Sequence, residues 1–281
     1  MPRLMVATTL RFEPDMVEAE NRAMVEALAD RGLRPELRPW HSELDPWLEA
    51  DLVVVRTTWD YPEHLDEFDA WLAALDAAAI PVINPVAFLR WNLRKRYLVE
   101  LGAAGVPIVP VELVAAGTIV APSNERRVLK PEVGVGGLGA TLVEPGESPV
   151  AEVDSILNPF LPRVATGERS VFVVDGEPIA TFRKVPSGDE FRVHTHHGGT
   201  YEIEDDPSPA VLAAARHAYE VANTLAAGGG LVYLRVDLLE RDDDEWLVLE
   251  LEGLEPSLYP EIDDRVTAAV AGAVSSRVPE G

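Results

Sequence analysis

The sequence predicts an α/β unit followed by an α+β unit, and three observations carry that expectation. Over about the first 85 residues, short apolar strands alternate with segments at helical spacing, the pattern of a small unit with a mostly parallel sheet. From about Arg127 to Leu251 most segments read instead as strands. A single long helix interrupts them, opening at Ser208 with Pro209 in its first turn and closing before Gly228-Gly229-Gly230.

The N-terminal elements follow from local pattern. Leu4 to Thr8 is an apolar strand, and a helix from about Asp15 to Ala29 stops at Gly32, where a left-handed cap is expected. A strand-like piece covers Pro35 to Arg38. The run Leu52-Val53-Val54-Val55 has the composition of a strand buried on both faces, and Leu65, Phe68, Leu72 and Leu75 then fall at three-and-four spacing. Val82-Ile83 forms a short strand between Pro81 and Pro85. Arg94 to Ala103 reads as a helix, and Val106 to Pro110 as extended chain.

The later strands are Val128 to Lys130, Ala140 to Val143, Ile156 to Leu161, Ser170 to Val174, Ile179 to Lys184, Phe191 to His194, Leu231 to Leu239 and Trp246 to Leu251. Asp175-Gly176 suits a tight hairpin turn, and Asp242-Asp243-Asp244-Glu245 the tip of another.

Composition narrows the function classes. The 281 residues are 47% hydrophobic, enough for a large interior, and no apolar run approaches the roughly 20 residues that cross a bilayer. The first residues lack the apolar core and cleavage site of a signal peptide. With no cysteine, thiolate metal sites and a cysteine nucleophile are excluded, and a cytoplasmic location is expected. Acidic residues outnumber basic ones 48 to 24, and the net charge of −24 argues against nucleic acid or anionic membrane as the main partner. Basic residues in apolar or glycine-rich surroundings therefore draw notice.

Lys130 ends an apolar strand beside a loop carrying Gly134, Gly136, Gly137 and Gly139. A fixed charge next to bare backbone amides suits a phosphate chain, although a flexible hairpin with an exposed lysine has the same text. No Gly-Lys-Ser/Thr follows, so the loop is not a Walker motif, and strand-loop-helix context for a dinucleotide fingerprint is missing. Lys95, within Arg94-Lys95-Arg96, is a second basic point that gains meaning only with Lys130. Strand alternation puts Glu250 and Glu252 on one face, and a hairpin tipped at Asp242 to Asp244 brings Asp237 beside them. Three hard oxygen donors together fit Mg²⁺, or else form a solvated acidic face. Arg192 and Arg235 suit a carboxylate, a phosphoryl group or a developing oxyanion. His194, His196 and His197 raise zinc as a reading, but the alternation of His194 and His196 lacks an obvious third ligand, and no Gly-x-Ser-x-Gly supports a serine hydrolase. Arg56, Thr57, Trp59 and Asp60 lie just beyond the strand Leu52 to Val55, where α/β sheets present ligands, so substrate contacts are expected there; a purely structural Trp59 is the alternative.

Taken in order, Lys95, Lys130, the glycine loop, Asn158-Pro159-Phe160-Leu161, Gly167-Glu168, Arg192, Arg235-Val236-Asp237 and Glu250-x-Glu252 resemble the ATP-grasp superfamily. Within it the chain is similar to the branch of glutathione-synthetase-like and ribosomal-protein-modifying ligases that includes the cyclo-ligase of D-cycloserine biosynthesis. Arg56-Thr57-Thr58-Trp59-Asp60-Tyr61, Gly188-Asp189-Glu190-Phe191-Arg192-Val193 and Glu255-Pro256-Ser257-Leu258 add to the likeness.

The resemblance implies an ATP-grasp fold with an N-terminal Rossmann-like (preATP-grasp) domain over residues 1–88 and an ATP-grasp domain over 89–278. The latter comprises a flap subdomain at about 105–160 and a metal-binding subdomain at about 161–278. It implies ATP as nucleotide, contacted by Lys95, Lys130, Lys184 and a flap containing Gly136, Gly137 and Gly139, with adenine against Asn158, Phe160 and Leu161 and ribose near Glu168. It implies Mg²⁺, with Mn²⁺ as a substitute, on Asp237, Glu250 and Glu252, and acyl-phosphate stabilisation by Arg192 and Arg235. Much of the superfamily has asparagine where Glu252 stands, and often glutamine or glutamate at Asn158. The implied reaction joins a small-molecule carboxylate to an amine with release of ADP and phosphate, within one molecule or between two; a homodimer is left open. The alternatives are a catalytically silent ATP-binding scaffold and a phosphotransferase acting on a hydroxyl.

Overall fold

In the computed structural model, residues 2–279 are described apart from positions 189 and 243, so the Asp189 and Asp243 portions of the predicted loop and hairpin tip lie outside the described residues. The N-terminal sheet has the order β2-β1-β3-β4 and is parallel throughout. Its strands are β1 (Leu4–Thr8), β2 (Glu36–Pro39), β3 (Leu52–Thr57) and β4 (Val82–Ile83). Every residue of β1 and β3 is buried, as expected of apolar strands covered on both faces. Helices α1 (Pro14–Ala29) and α2 (Leu65–Ala77) connect them, and α2 buries Phe68, Leu72 and Leu75 as its spacing predicts.

The helix predicted from Arg94 to Ala103 begins later, as α4 (Tyr97–Ala103), and a separate short helix, α3 (Val86–Asn92), precedes it. The turn between them carries Lys95. Its shape is set from outside, because the Lys95 amide donates to the Glu132 carbonyl at 2.8 Å and the Asn92 side chain is bonded to both Leu251 and Gly253.

Two antiparallel sheets follow. The smaller has the order β5-β8-β6-β7, from β5 (Glu112–Val114), β6 (Arg127–Pro131), β7 (Thr141–Val143) and β8 (Ser155–Pro159), and has a small core of its own around Leu129, Val143 and Leu157. The larger has the order β11-β10-β9-β12-β13. It comprises β9 (Glu168–Val174), β10 (Glu177–Val185), β11 (Thr200–Ile203), β12 (Tyr233–Asp242) and β13 (Glu245–Glu252). Asp175 and Gly176, both at positive φ, make the turn between β9 and β10.

Helix α5 (Pro209–Leu225) packs across this sheet, capped by Ser208, whose hydroxyl accepts from the Val211 amide. The final helix, α6 (Arg265–Ser275), packs on α1 and was not anticipated. Phe191 to His194, expected as a strand, is irregular chain, and Thr200–Ile203 forms the edge strand in its place. No described helix is long and apolar enough to cross a membrane.

The N-terminal sheet is bolted to the larger one through Asn84, which is fully buried. Its amide nitrogen donates to the carbonyls of Tyr233 (2.9 Å) and Gly253 (2.7 Å), while its oxygen accepts from the amides of Val232 (2.8 Å) and Tyr233 (3.2 Å). Asn84→Ala removes all four bonds and leaves buried main-chain groups unpartnered, at about 1–3 kcal/mol for each such group. Urea denaturation of that variant is expected to show an unfolding free energy lower by at least about 2 kcal/mol; an unchanged midpoint would refute the bolt.

Candidate active site

One cavity of about 340 Å³ collects residues from both antiparallel sheets and from α1 and loops of the N-terminal unit. Cross-strand register builds its floor. Asp237 on β12 sits opposite Glu250 on β13, and Arg235 opposite Glu252, so the four side chains share a face, as alternation requires. The predicted adjacency of Asp237, Glu250 and Glu252 is thus realised, but among the described residues no three acidic or histidine side chains converge as a metal cage.

Each carboxylate faces a cation instead. Arg235 grips Asp237 with two bonds, at 2.9 and 2.8 Å, and also pairs with Glu252. Lys184 lies 3.3 Å from the second Asp237 oxygen and pairs with Glu168. Lys95 is 3.0 Å from one Glu250 oxygen and Lys130 is 3.8 Å from the other. Four cations and four carboxylates therefore alternate through the site.

Burial sets their protonation. It works against the ionised form of Asp237, yet Arg235 and Lys184 outweigh it and hold this carboxyl well below the usual range. Burial likewise opposes the charge on Glu250, and Lys95 and Lys130 bring it below its ordinary value. Glu252, buried and near both other acids, is pushed up to about 7 despite Arg235. Desolvation lowers Lys130, with Glu250 opposing it. Glu168 is raised by burial, and Lys184 rises well above its normal value because Asp237 and Glu168 overcome its own desolvation.

The glycine loop forms the roof. Gly136, Gly137 and Gly139 all have positive φ, and Lys95 donates to the Gly134 carbonyl at 2.9 Å. At Gly137 a Cβ would stand 2.9 Å from the His194 ring, and at Gly139 2.8 Å from Pro131, so a side chain at either position forces a displacement. His194 and His196 pack under this loop with ring centroids 5.5 Å apart, and burial drops His194 to about 2.

Arg192 lines the cavity but is clamped to Glu190 at 3.0 and 2.8 Å, which in turn brings Glu190 down to about 2. Phe160 and Leu161 line the far wall together with Asn158. The Asn158 nitrogen donates to the Pro110 carbonyl at 2.7 Å while its oxygen is buried without a partner. An unpaired acceptor in a lined cavity suits a donor on a bound base.

Of the four residues expected to touch substrate, only Trp59 lines the cavity. Arg56, Thr57 and Asp60 are buried in the framework. Arg56 reaches Glu20 at 3.2 Å and the Pro256 carbonyl at 3.0 Å; Thr57 joins Thr8 and Asn21 in a closed hydroxyl–amide triangle; Asp60 accepts from the Trp40 indole at 2.8 Å. Lys184, expected at the triphosphate, is likewise a buried partner of two carboxylates and is absent from the cavity lining. Phe12, Tyr61 and Glu255 also line the cavity; the sequence reading gives Phe12 no notice, and Tyr61 and Glu255 enter it only within motifs that carry the resemblance, with no site role. The signals for Glu255 are that motif and its place three residues after Glu252.

The donors present fit the groups that the sequence suggested. Hard carboxylate oxygens on adjacent strands match a divalent cation, and lysines beside a bare-backbone loop match a phosphate chain.

Comparison with known proteins agrees. A family model for the prokaryotic glutathione synthetase ATP-grasp domain matches residues 118–242, and one for the N-terminal domain of D-cycloserine synthetase DcsG matches residues 4–84. The cycloserine biosynthesis protein DcsG of Streptomyces lavendulae is 30% identical across 91% of this chain and 92% of that protein. A glutathione synthetase from Thermosynechococcus vestitus is 24% identical over 73% of this chain and 64% of its own length. Among solved structures, D-cycloserine synthetase DcsG superposes with a TM-score of 0.84 at 24% identity, covering 98% of this chain and 99% of that one. The D-alanine–D-alanine ligase of Bacillus anthracis gives 0.72 at 14% identity, covering 99% and 98%; both likenesses speak to fold. With that breadth of match and the site geometry above, the chain belongs to the ATP-grasp ligase family, in the branch that includes the cycloserine biosynthesis protein DcsG.

Proposed function

We propose that the chain is an ATP-dependent, ADP-forming ligase that joins a small-molecule carboxylate to an amine through an acyl phosphate. The observation that carries this reading is the gathering of Lys95, Lys130, the glycine loop and three carboxylates around one cavity, in a chain otherwise dominated by negative charge. Within this reading residues 1–88 form the N-terminal unit. Residues 89–278 form the ATP-grasp unit, divided into a flap region at about 105–160 and a metal-binding region at about 161–278.

The side chains have defined work in such a reaction. Lys95 and Lys130 exchange Glu250 for phosphate oxygens, and the loop containing Gly136, Gly137 and Gly139 covers them with backbone amides. Asn158 takes a donor from the base edge at its free oxygen, between Phe160 and Leu161. Glu168 faces the ribose hydroxyls, oriented by Lys184. Asp237, Glu250 and Glu252 would hold Mg²⁺, or Mn²⁺ in its place, which would supply charge neutralisation on the phosphates. A substrate carboxylate oxygen forms its bond to the γ-phosphorus as the bond to ADP breaks. The amine then bonds to the acyl carbon, phosphate departs with the former carboxylate oxygen, and the amine's proton is released. Arg235, buried at the centre of the network, and Arg192, after leaving Glu190, balance negative charge as it builds. The closed roof excludes water from the acyl phosphate.

Two outcomes test the reading. Purified protein with Mg²⁺ and ATP should release ADP in response to a member of a panel of carboxylates and amines, and hydroxylamine should convert the acyl phosphate to a hydroxamate. ATP binding with no ADP release across the panel identifies a silent scaffold; a stable phosphorylated product without hydroxamate identifies a phosphotransferase. Lys130→Ala is expected to lower kcat/KM by about 100-fold or more, at the scale of losing one preorganised charge contact, with an unchanged circular dichroism spectrum. Turnover within a few-fold of the native rate would remove Lys130 from the phosphate site.

A further inference from the structure

Glu255 departs from the pattern of the buried acids around it. Glu20, Glu132, Glu168 and Asp237 each face a cation and Asp60 accepts from the Trp40 indole, whereas Glu255, only 7% exposed, has among the described residues no cation within ion-pair distance and no side-chain donor from another residue. Lys95 and Arg235 act on it from farther away, and Glu252 repels it. A carboxylate in that setting is costly to ionise, and burial with the Glu252 charge pushes it up to about 8. It nonetheless lines the cavity, beside Trp59 and Tyr61.

The chain also invests in holding it there. The segment that follows β13 has no regular structure of its own, yet the N-terminal unit fixes it at successive residues. Trp59 donates its indole N–H to the Glu255 carbonyl at 2.8 Å, and Arg56 donates to the Pro256 carbonyl at 3.0 Å. One Glu20 oxygen accepts from the Ser257 hydroxyl and from the Leu258 and Tyr259 amides. Phe12 packs edge-on against Trp59, with centroids 5.6 Å apart, and closes the aromatic wall. An acid whose main chain is fixed at the cavity wall, in a lining shared with Trp59 and Tyr61 and with no cation of its own, suits an ammonium group.

We propose that Glu255 is a specificity-determining residue that receives the protonated amino group of an amino-acid substrate. This rests on the ligase reading for the fate of that substrate's carboxylate. Positive charge on Lys95 and Arg235 suits one pole of a zwitterion, and Glu255, which ionises once an ammonium supplies its counter-charge, suits the other. The pairing has a chemical consequence: an amine held as ammonium has no lone pair to offer, so Glu255 shields the α-amino group from acylation and directs the acyl phosphate to a different amine.

The test reads binding rather than turnover. The native chain, Glu255→Gln and Glu255→Asp, each with Mg²⁺ and a non-hydrolysable ATP analogue, are titrated calorimetrically with D- and L-amino acids and with the matching 2-hydroxy acids. At least one amino acid should bind the native chain at least about tenfold more tightly than its hydroxy counterpart, the ratio expected for a charge-assisted bond. Glu255→Gln should bring that ratio close to one while keeping the thermal shift caused by the nucleotide, and Glu255→Asp should retain part of the preference. A full preference in Glu255→Gln overturns the proposal, as does a native chain that binds hydroxy acids as well as amino acids. If Glu255→Gln does not fold, the native ratio and Glu255→Asp decide. A chain that prefers amino acids yet never releases ADP sinks the ligase reading and leaves Glu255 in place; ADP release driven equally by hydroxy acids does the reverse.

Discussion

Arg235 is the constraint around which the interior is organised. Its guanidinium spans Asp237 on its own strand and Glu252 on the next, and thereby permits two carboxylates to share a buried sheet face. Lys184 extends the chain of charge to Glu168, and Glu250 carries it to Lys95 and Lys130. Buried pairs of this kind add little net stability, since desolvation offsets much of their attraction. Removing one member is a different matter, because the partner left behind costs about 3–5 kcal/mol. The network is therefore a device for keeping reactive charge inside the protein, and its retention is explained by chemistry more readily than by stability.

That network depends in turn on how the N-terminal unit is attached. Asn84 fixes β4 to β12 and to the end of β13, and Asn92 and Tyr97 tie the turn bearing Lys95 to the main chain at Leu251 and Gly253. Lys95 reaches Glu250 because of these bonds, not because of any helix beneath it. Arg56 and Glu20 serve the same end farther along, holding the segment from Pro256 to Tyr259. Polar groups inside the junction therefore do positioning work that apolar packing cannot, since their bonds are directional and leave one arrangement fully satisfied.

The sequence made the hairpin legible because strand alternation is strict: Asp237, Glu250 and Glu252 had to share a face once the turn was placed at Asp242 to Asp244, and the register shows that they do. Lys130 and its glycines were visible for a similar reason, since four glycines in six positions serve few purposes besides close backbone approach. What stayed hidden is long-range. Arg56, Thr57 and Asp60 stand where a ligand is expected, and nothing local reveals that Glu20, Asn21 and Trp40 bind them inside the framework. The strand expected at Phe191 to His194 failed because Arg192 folds back on Glu190, a bond that competes with a sheet ladder. The apolar spacing that forms α6 was overlooked, and its partner α1 lies nearly the full chain away in sequence.

A chain with a net charge of −24 is an unexpected host for a polyphosphate, and the structure shows how the conflict is resolved. Surface carboxylates act through water and salt, with a reach of about 8 Å at physiological ionic strength. The cavity is governed instead by groups within hydrogen-bonding distance, where four cations stand among the four carboxylates. In the proposed reaction a phosphate chain entering with its metal would ask these groups only to trade partners: lysines would pass from Glu250 to phosphate oxygens, and carboxylates from lysine and arginine to the cation. No charge is newly buried without a counter-charge, so the desolvation already met in folding is not met again in binding. Glu252, at about 7, and Glu255, at about 8, are left with poorly balanced negative charge in their present surroundings, as is the raised Glu168. A metal ion beside the first and an ammonium beside the second would complete the balance, which is why the two adjacent acids are assigned to different ligands.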